Sequence, residues 1–350
     1  MATIVFGALA GDWNDDTKWV GGVKPTAADD AQLTVLSADC NIDAAAVCRS
    51  LDCTGFTGIL SHASATILSI GDASGGSLTL VSGMTYTKSN STTSAISFLS
   101  TTTGNIITTA GFSLGNLIFG SGAGGYWTLG DALTSAGTIT LTRGTLDDGG
   151  FNVTFSSFAS NSGQTRVLTM SATWTGTSTT PWNTGTASGL TINPGASTIS
   201  CTNGGSSQTA FVAADGQIFN NITVGGSGGT GRFLFNNSNT FNVLTLPIKK
   251  SVRFTSGKTV TVSSFVATGT PGNIITIDST SAGSPATLSK SSGIVNCNYL
   301  SLKDSAAIGG ATWNAGANSI NVSGNSGWLF SSAAISLVRP PSRMLVGVGR

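Results

Sequence analysis

From Ile67 to Ile277 the chain repeats one pattern: about three to five residues alternating apolar and polar, then a tight polar turn. Ile67-Leu68-Ser69-Ile70, Thr138-Ile139-Thr140-Leu141, Asn221-Ile222-Thr223-Val224 and Val243-Leu244-Thr245-Leu246 are clear instances. A period of two puts every apolar side chain of such a run on one face, as in a strand with one buried side. Gly-Ser, Asn-Gly and Gly-Gly turns separate the runs, and no stretch of about twelve residues keeps a helical period. Glutamate, a good helix former, is absent from all 350 residues. The expectation is an all-β chain.

Short strands joined by polar turns over nearly the whole length admit two architectures. One is an array of β-sandwiches; the other is a solenoid in which each turn of chain stacks on the one before. Strands this short, with Val, Ile, Leu and Phe inward and Thr, Ser and Asn free to form ladders, favour a right-handed parallel β-helix. Repeat length is irregular and no consensus emerges. The division expected is an N-terminal cap over residues 1–45, a β-helix body over 46–330 with a Trp-rich closure, and an extended basic tail over 331–350. Trp13 and Trp19 at one end, and Trp313 and Trp328 at the other, are placed to close the two open ends.

Charged residues make up 9 % of the chain, against roughly 25 % in ordinary domains, so hydroxyls and amides must carry the solubility. The formal charge of +1 conceals an asymmetry. Residues 1–148 hold twelve Asp and five Lys or Arg, a net of −7, while 149–350 hold three and eleven, a net of +8. Ends of opposite sign suit ordered contacts between neighbouring subunits. Cys40, Cys48, Cys53, Cys201 and Cys297 lack metal-type spacing and read as small buried hydrophobes. The first residues lack a basic stretch ahead of their apolar run, and no run approaches a membrane span, so synthesis in a reducing cytoplasm without membrane insertion is expected.

Carboxylate chemistry would have to come from Asp15-Asp16, Asp29-Asp30 or Asp147-Asp148. Neighbours in a strand point to opposite faces, so such pairs do not converge as a glycosidase requires. Asp147-Asp148-Gly149-Gly150 reads as a turn. The C-terminal half offers only Asp215, Asp278 and Asp304, and no catalytic residue is assigned. Asp12, Asp15, Asp16, Asp29 and Asp30 could hold Ca²⁺, though turn capping beside the tryptophans is the simpler reading. His62, the one histidine, reads as a surface or turn residue and supplies no triad. Lys249, Lys250, Arg253 and Lys258 lack interleaved aromatics, which argues against nucleic acid and for a solvated edge that discourages strand pairing.

Two terminal segments carry a resemblance. Trp13, then Trp19, Gly21-Gly22, Pro25 and Asp29-Asp30, resembles the W-x(n)-W-x-G-G-x-x-P-x-x-x-D-D opening of many phage and bacterial surface β-helix proteins. Thr270 to Leu302, with Gly310-Ala311-Thr312-Trp313-Asn314-Ala315-Gly316 and Gly327-Trp328-Leu329-Phe330, resembles the closing segment of proteins from tailed-phage genomes. The resemblance covers about a quarter of the chain. It implies a virion structural protein, an exterior capsid decoration or spike that stabilises the particle or mediates surface attachment, and a homotrimer. A tail fibre or tailspike contacting host glycans, with polysaccharide-degrading activity in some cases, is the competing implication. Arg339, Pro340, Pro341, Arg343 and Arg350 form the segment expected to dock onto another virion protein.

Overall fold

The alternating runs become strands with one face inward. In Leu133–Leu141 the residues Leu133, Ser135, Ile139 and Leu141 are buried while Thr134, Thr138 and Thr140 between them are not. The computed structural model describes residues 2–89, 93–120, 124–203, 205, 207–225 and 231–331. Every strand ladder among these residues is parallel, and the chain winds through about 13 turns of a β-solenoid, a parallel β-helix. Among the described residues the only helical element is a single 3₁₀ turn at Asp16–Lys18.

The cross-section changes along the axis. One face is a nine-stranded sheet running from Thr3–Val5 through Asp30–Gln32 and Ser50–Asp52 to Leu190–Asn193. A four-stranded sheet from Gly11–Asp12 to Thr85–Lys88 adds a face to the first turns, and the last turns carry a three-stranded sheet ending at Trp328–Leu329. Parallel pairing starts at Thr3 and passes through residue 45 without a break, because Asp30–Gln32 pairs onward with Ser50–Asp52. The docking segment expected around Arg339, Pro340, Pro341, Arg343 and Arg350 lies outside the described residues.

In-register stacking forms the core. Leu68, Ile96, Leu117, Ile139, Phe158, Trp182, Phe211, Phe235 and Phe254 occupy successive rungs of one inward column. All are buried. Ring centroids along its aromatic half are 4.7 Å apart for Phe158–Trp182, 6.0 Å for Trp182–Phe211 and 5.1 Å for Phe235–Phe254. Rung spacing near 4.8 Å matches stacked ring packing, so the same side-chain type repeats without strain. Outward, Thr134, Thr154, Thr175, Ser200, Thr223 and Thr245 form a hydroxyl ladder in the same register. β-branched hydroxyl residues suit a half-exposed pleated surface, which supplies polarity without charge.

Turn lengths are unequal. Hydrogen bonds between neighbouring turns join residues 19 apart, as Ser319 to Leu300, and 33 apart, as Thr184 to Gln217. This hides the repeat from the sequence while leaving the stack intact. Tight corners use glycine where nothing else fits: Gly120 has φ 101°, and a Cβ there would lie 2.3 Å from the Arg143 carbonyl oxygen.

Buried polar groups tie turn to turn. Asp148 is fully buried, at the corner expected to be a simple turn. It accepts from Ser171 N at 2.7 Å, Ser171 Oγ at 2.6 Å, Ala172 N at 3.0 Å and Trp174 Nε1 at 3.0 Å. Burial alone would raise its pKa, but the Ser171, Trp174 and Ala172 donors outweigh that and hold it below 3.8. Arg166 is also fully buried and donates to the carbonyls of Gln164, Thr186 and Ser188 and to Ser160 Oγ. The guanidinium fork satisfies backbone oxygens of two turns at once. Asn239 does similar work through Nδ2, which donates to the Ala214 carbonyl at 2.7 Å.

Both ends hold aromatic plugs. Trp19 packs edge-on against Trp13 at 4.9 Å and Phe6 at 5.0 Å, and its Nε1 donates to the Trp13 carbonyl at 2.8 Å. At the other end Trp313 lies 5.1 Å from Trp328 and 5.7 Å from Phe265. All five cysteines are buried and free.

Two predictions follow from the core. Phe211→Ala removes a central ring of the column and costs about 3–5 kcal/mol in denaturant unfolding; a loss under about 1 kcal/mol would mean the column carries little of the stability. Asp148 titrates lower in the folded chain than in the unfolded one, so its contribution is complete above pH 3.8 and is lost as pH falls through the lowered value. Asp148→Asn therefore unfolds more easily at pH 7 and loses less additional stability than the parent between about pH 4 and pH 2. Parallel acid profiles for the two proteins would refute this role.

Candidate functional site

The five N-terminal acids are spread over turns and two strands, Asp12 in Gly11–Asp12 and Asp30 in Asp30–Gln32, rather than gathered around a shared centre. Asp15 caps the 3₁₀ turn, accepting from Thr17 N at 3.0 Å and Thr17 Oγ1 at 2.6 Å. Asp29 accepts from Thr26 Oγ1 at 2.6 Å, Thr26 N at 3.1 Å and Ala2 N at 3.2 Å. These hydroxyl and amide donors hold both carboxyls below the ordinary range. Asp12 accepts from Asn41 Nδ2, and Asp16 from the Lys24 amide. Asp30 pairs with the Arg49 guanidinium. Among the described residues no three His, Cys, Asp or Glu side chains converge as metal ligands.

The nearest approach to a site is a hollow of about 240 Å³ on the outward face of the nine-stranded sheet. Thr3, Asp30, Gln32, Arg49, Ser50 and Asp52 line it. Adjacent turns bring these residues together because Thr3 sits beside Asp30 and Asp30 beside Ser50 in register. Asp52 turns to its own loop, accepting from Thr54 Oγ1 at 2.6 Å and Thr54 N at 2.9 Å. Asp30 Oδ1 and Arg49 Nε lack partners although both atoms are buried. The arrangement offers two carboxylates, Asp30 and Asp52, and one cation to a small polar ligand. Asp30 stands out in the sequence; Arg49 does not, since only the register of the next turn brings it alongside.

A second hollow of about 250 Å³ opens where the nine-stranded sheet stops. Leu190 and Ile192 of the last strand line it with Asp215, Gln217 and Ile218 of the next turn. Asp215 is committed to Lys258 Nζ at 2.7 Å, which with the Ser238 amide holds its carboxyl below the ordinary range. Asp278 is held by Arg253 Nε at 3.1 Å, and the buried Asp304 accepts from the Gly283 amide at 3.0 Å. The three acids of the C-terminal half are thus all engaged.

Two expectations are corrected here. His62 is not a surface or turn residue: it is 1 % exposed, on an inward position of strand Ile59–His62. Its Nδ1 lies 3.1 Å from the Tyr86 hydroxyl and its Nε2 3.3 Å from the Thr66 carbonyl. A carbonyl only accepts, so Nε2 carries the proton and Nδ1 accepts from Tyr86. Neither neighbour is a serine or a carboxylate. The basic cluster is a solvated edge only in part. Lys249 is exposed, but Lys250 is buried, Arg253 pairs with Asp278 and Lys258 with Asp215, so two of the four cations tie turns together. Burial also pushes the Cys53, Cys201 and Cys297 thiols up to about 12, which keeps them unreactive at neutral pH.

Burial lowers the pKa of His62 beneath 6.5, against a smaller opposing effect of the Thr66 carbonyl. A depressed folded-state value means the neutral ring stabilises the fold fully above pH 6.5, and that stabilisation is lost as pH falls through the lowered value. NMR of this single histidine should give a midpoint below 6.5; a midpoint at or above it would contradict the buried placement.

Comparison with known protein families, with characterised proteins and with solved structures finds no match to this chain.

Proposed function

We propose that this chain is a non-enzymatic structural protein on the exterior of a tailed-phage particle, a stiff decoration or spike that reinforces the shell or presents a surface. The observation that carries the reading is the unbroken inward column from Leu68 to Phe254, flanked by the hydroxyl ladder from Thr134 to Thr245. Parallel pairing satisfies the backbone of each turn against its neighbours, and a continuous core resists bending, so the protein acts as a rod. A polar, weakly charged exterior suits prolonged exposure to solvent. The resemblance of the Trp13–Asp30 and Gly310–Phe330 segments to phage proteins supplies the setting. Three rods packed along their length make the trimer, and the tail bearing Arg339, Pro340, Pro341, Arg343 and Arg350 docks to a neighbouring virion protein.

One observation favours a second reading, a tail fibre or tailspike that contacts host glycans. The Asp30–Arg49–Asp52 hollow sets two carboxylates and a guanidinium on an outward sheet face.

Gold-tagged antibody against this protein, imaged on purified particles, separates the readings. Label over the head supports decoration, label on the tail supports host contact, and unlabelled intact particles refute an exterior role. A chain ending at Ser331 should fold, remain soluble and fail to join particles. Its normal incorporation would remove the tail from the docking role.

A further inference from the structure

We infer that copies of this chain associate end to end, the last turn of one rod seating on the first turn of the next. The partner is thus a second copy, and the contact concerns the rod ends rather than its flanks. The inference stands independently of the virion reading, since it concerns the purified chain.

The last turn is unfinished. Strand Ile320–Ser323 pairs with Leu300–Lys303 on one side and, among the described residues, forms no ladder on the other. All four of its residues are exposed, Ile320 at 48 % and Val322 at 51 %. Beside it the final strand Trp328–Leu329 leaves Leu329 at 55 %. An uncovered strand bearing two aliphatic side chains on a terminal rung is the feature that proteins ordinarily shield, because it templates pairing with another chain.

The first turn presents the matching surface. Leu9, Val20 and Val23 are 71 %, 64 % and 57 % exposed, above the Phe6–Trp13–Trp19 plug. Backbone bonds hold these loops in place: the Val20 amide donates to the Val5 carbonyl at 2.9 Å, and the Gly7 amide to the Lys18 carbonyl at 2.7 Å. They form an ordered apolar platform rather than an open strand edge. An open edge at one end and a built platform at the other make a heterologous pair of surfaces, which yields linear assemblies instead of a closed ring.

Charge points the same way. Residues 1–43 carry seven Asp against Lys18 and Lys24, whereas the described residues from 290 onward carry Lys290 and Lys303 against Asp304. Asp12, Asp16 and Asp39 of the acidic end are exposed, while Asp304 of the basic end is buried. Opposite net charge steers unlike ends together and repels like ends, so head-to-tail contacts are selected over head-to-head ones.

Sedimentation velocity on the full chain tests this. Over roughly 1–100 µM the parent should form a concentration-dependent ladder of species, and raising salt from about 50 to 500 mM should weaken it severalfold. Val20→Asp spoils the first turn and Val322→Asp the last; each position is exposed, and an unchanged circular dichroism melt confirms that each variant folds. Either variant alone should stay at the mass of the smallest parent species. Their equimolar mixture retains one good contact, so it should double that mass and grow no further. A parent that stays at one mass across the range overturns the inference. So does a ladder that persists in either single variant, or an equimolar mixture that fails to pair.

Discussion

The parallel register between successive turns is the constraint on which everything else here depends. A one-residue slip at any rung would turn the inward column outward and carry the hydroxyl ladder into the core. Constant repeat length would hold register automatically, but this chain lacks it, since partners on neighbouring rungs lie from 15 residues apart, as Trp313 and Trp328, to 29, as Trp182 and Phe211. Register must therefore be set locally, turn by turn. The aromatic half of the column does so by shape: Trp182 between Phe158 and Phe211 leaves no equivalent position one residue away, because Asn183 points out.

Shape is reinforced by buried polar anchors. Asp148 gathers donors from Ser171, Ala172 and Trp174 one turn on, and Arg166 reaches the carbonyls of Thr186 and Ser188. Displacing either turn by a residue would strand a buried charge, which costs several kcal/mol. These groups add specificity that an all-aliphatic corner would lack. They also explain why a chain with so few charged residues spends several of them inside.

Strand positions were legible because the period of two survives any variation in loop length. Ile67–Ile70 and the strands holding Thr138–Leu141 and Asn221–Val224 stand where the alternation puts them. His62, Asp148 and Arg166 were not legible, and for one reason. Each is a polar residue whose burial depends on which donor or acceptor the neighbouring turn brings within reach. Residue type along the chain does not contain that information; the register does. The same holds for the candidate site, where Asp30 was conspicuous and its partner Arg49 was hidden until stacking brought the two together.

A stacked fold grows by adding rungs, so its interior says nothing about where to stop. Termination has to be written at the ends, and the two ends of this chain do it differently. Lys18–Val20 runs back alongside Val5–Gly7, and the antiparallel bridge between Phe6 and Trp19, within the Trp13–Trp19–Phe6 cluster, interrupts the parallel pattern. That reversal of strand direction blocks further parallel addition. At the far end Trp313 and Trp328 fill the core, yet Ile320–Ser323 keeps the same parallel direction as every rung before it. Filling a core and ending a sheet are separate physical tasks, and within the described residues this end performs only the first. Among the described residues, then, the first turn carries a reversal of strand direction that the last turn lacks.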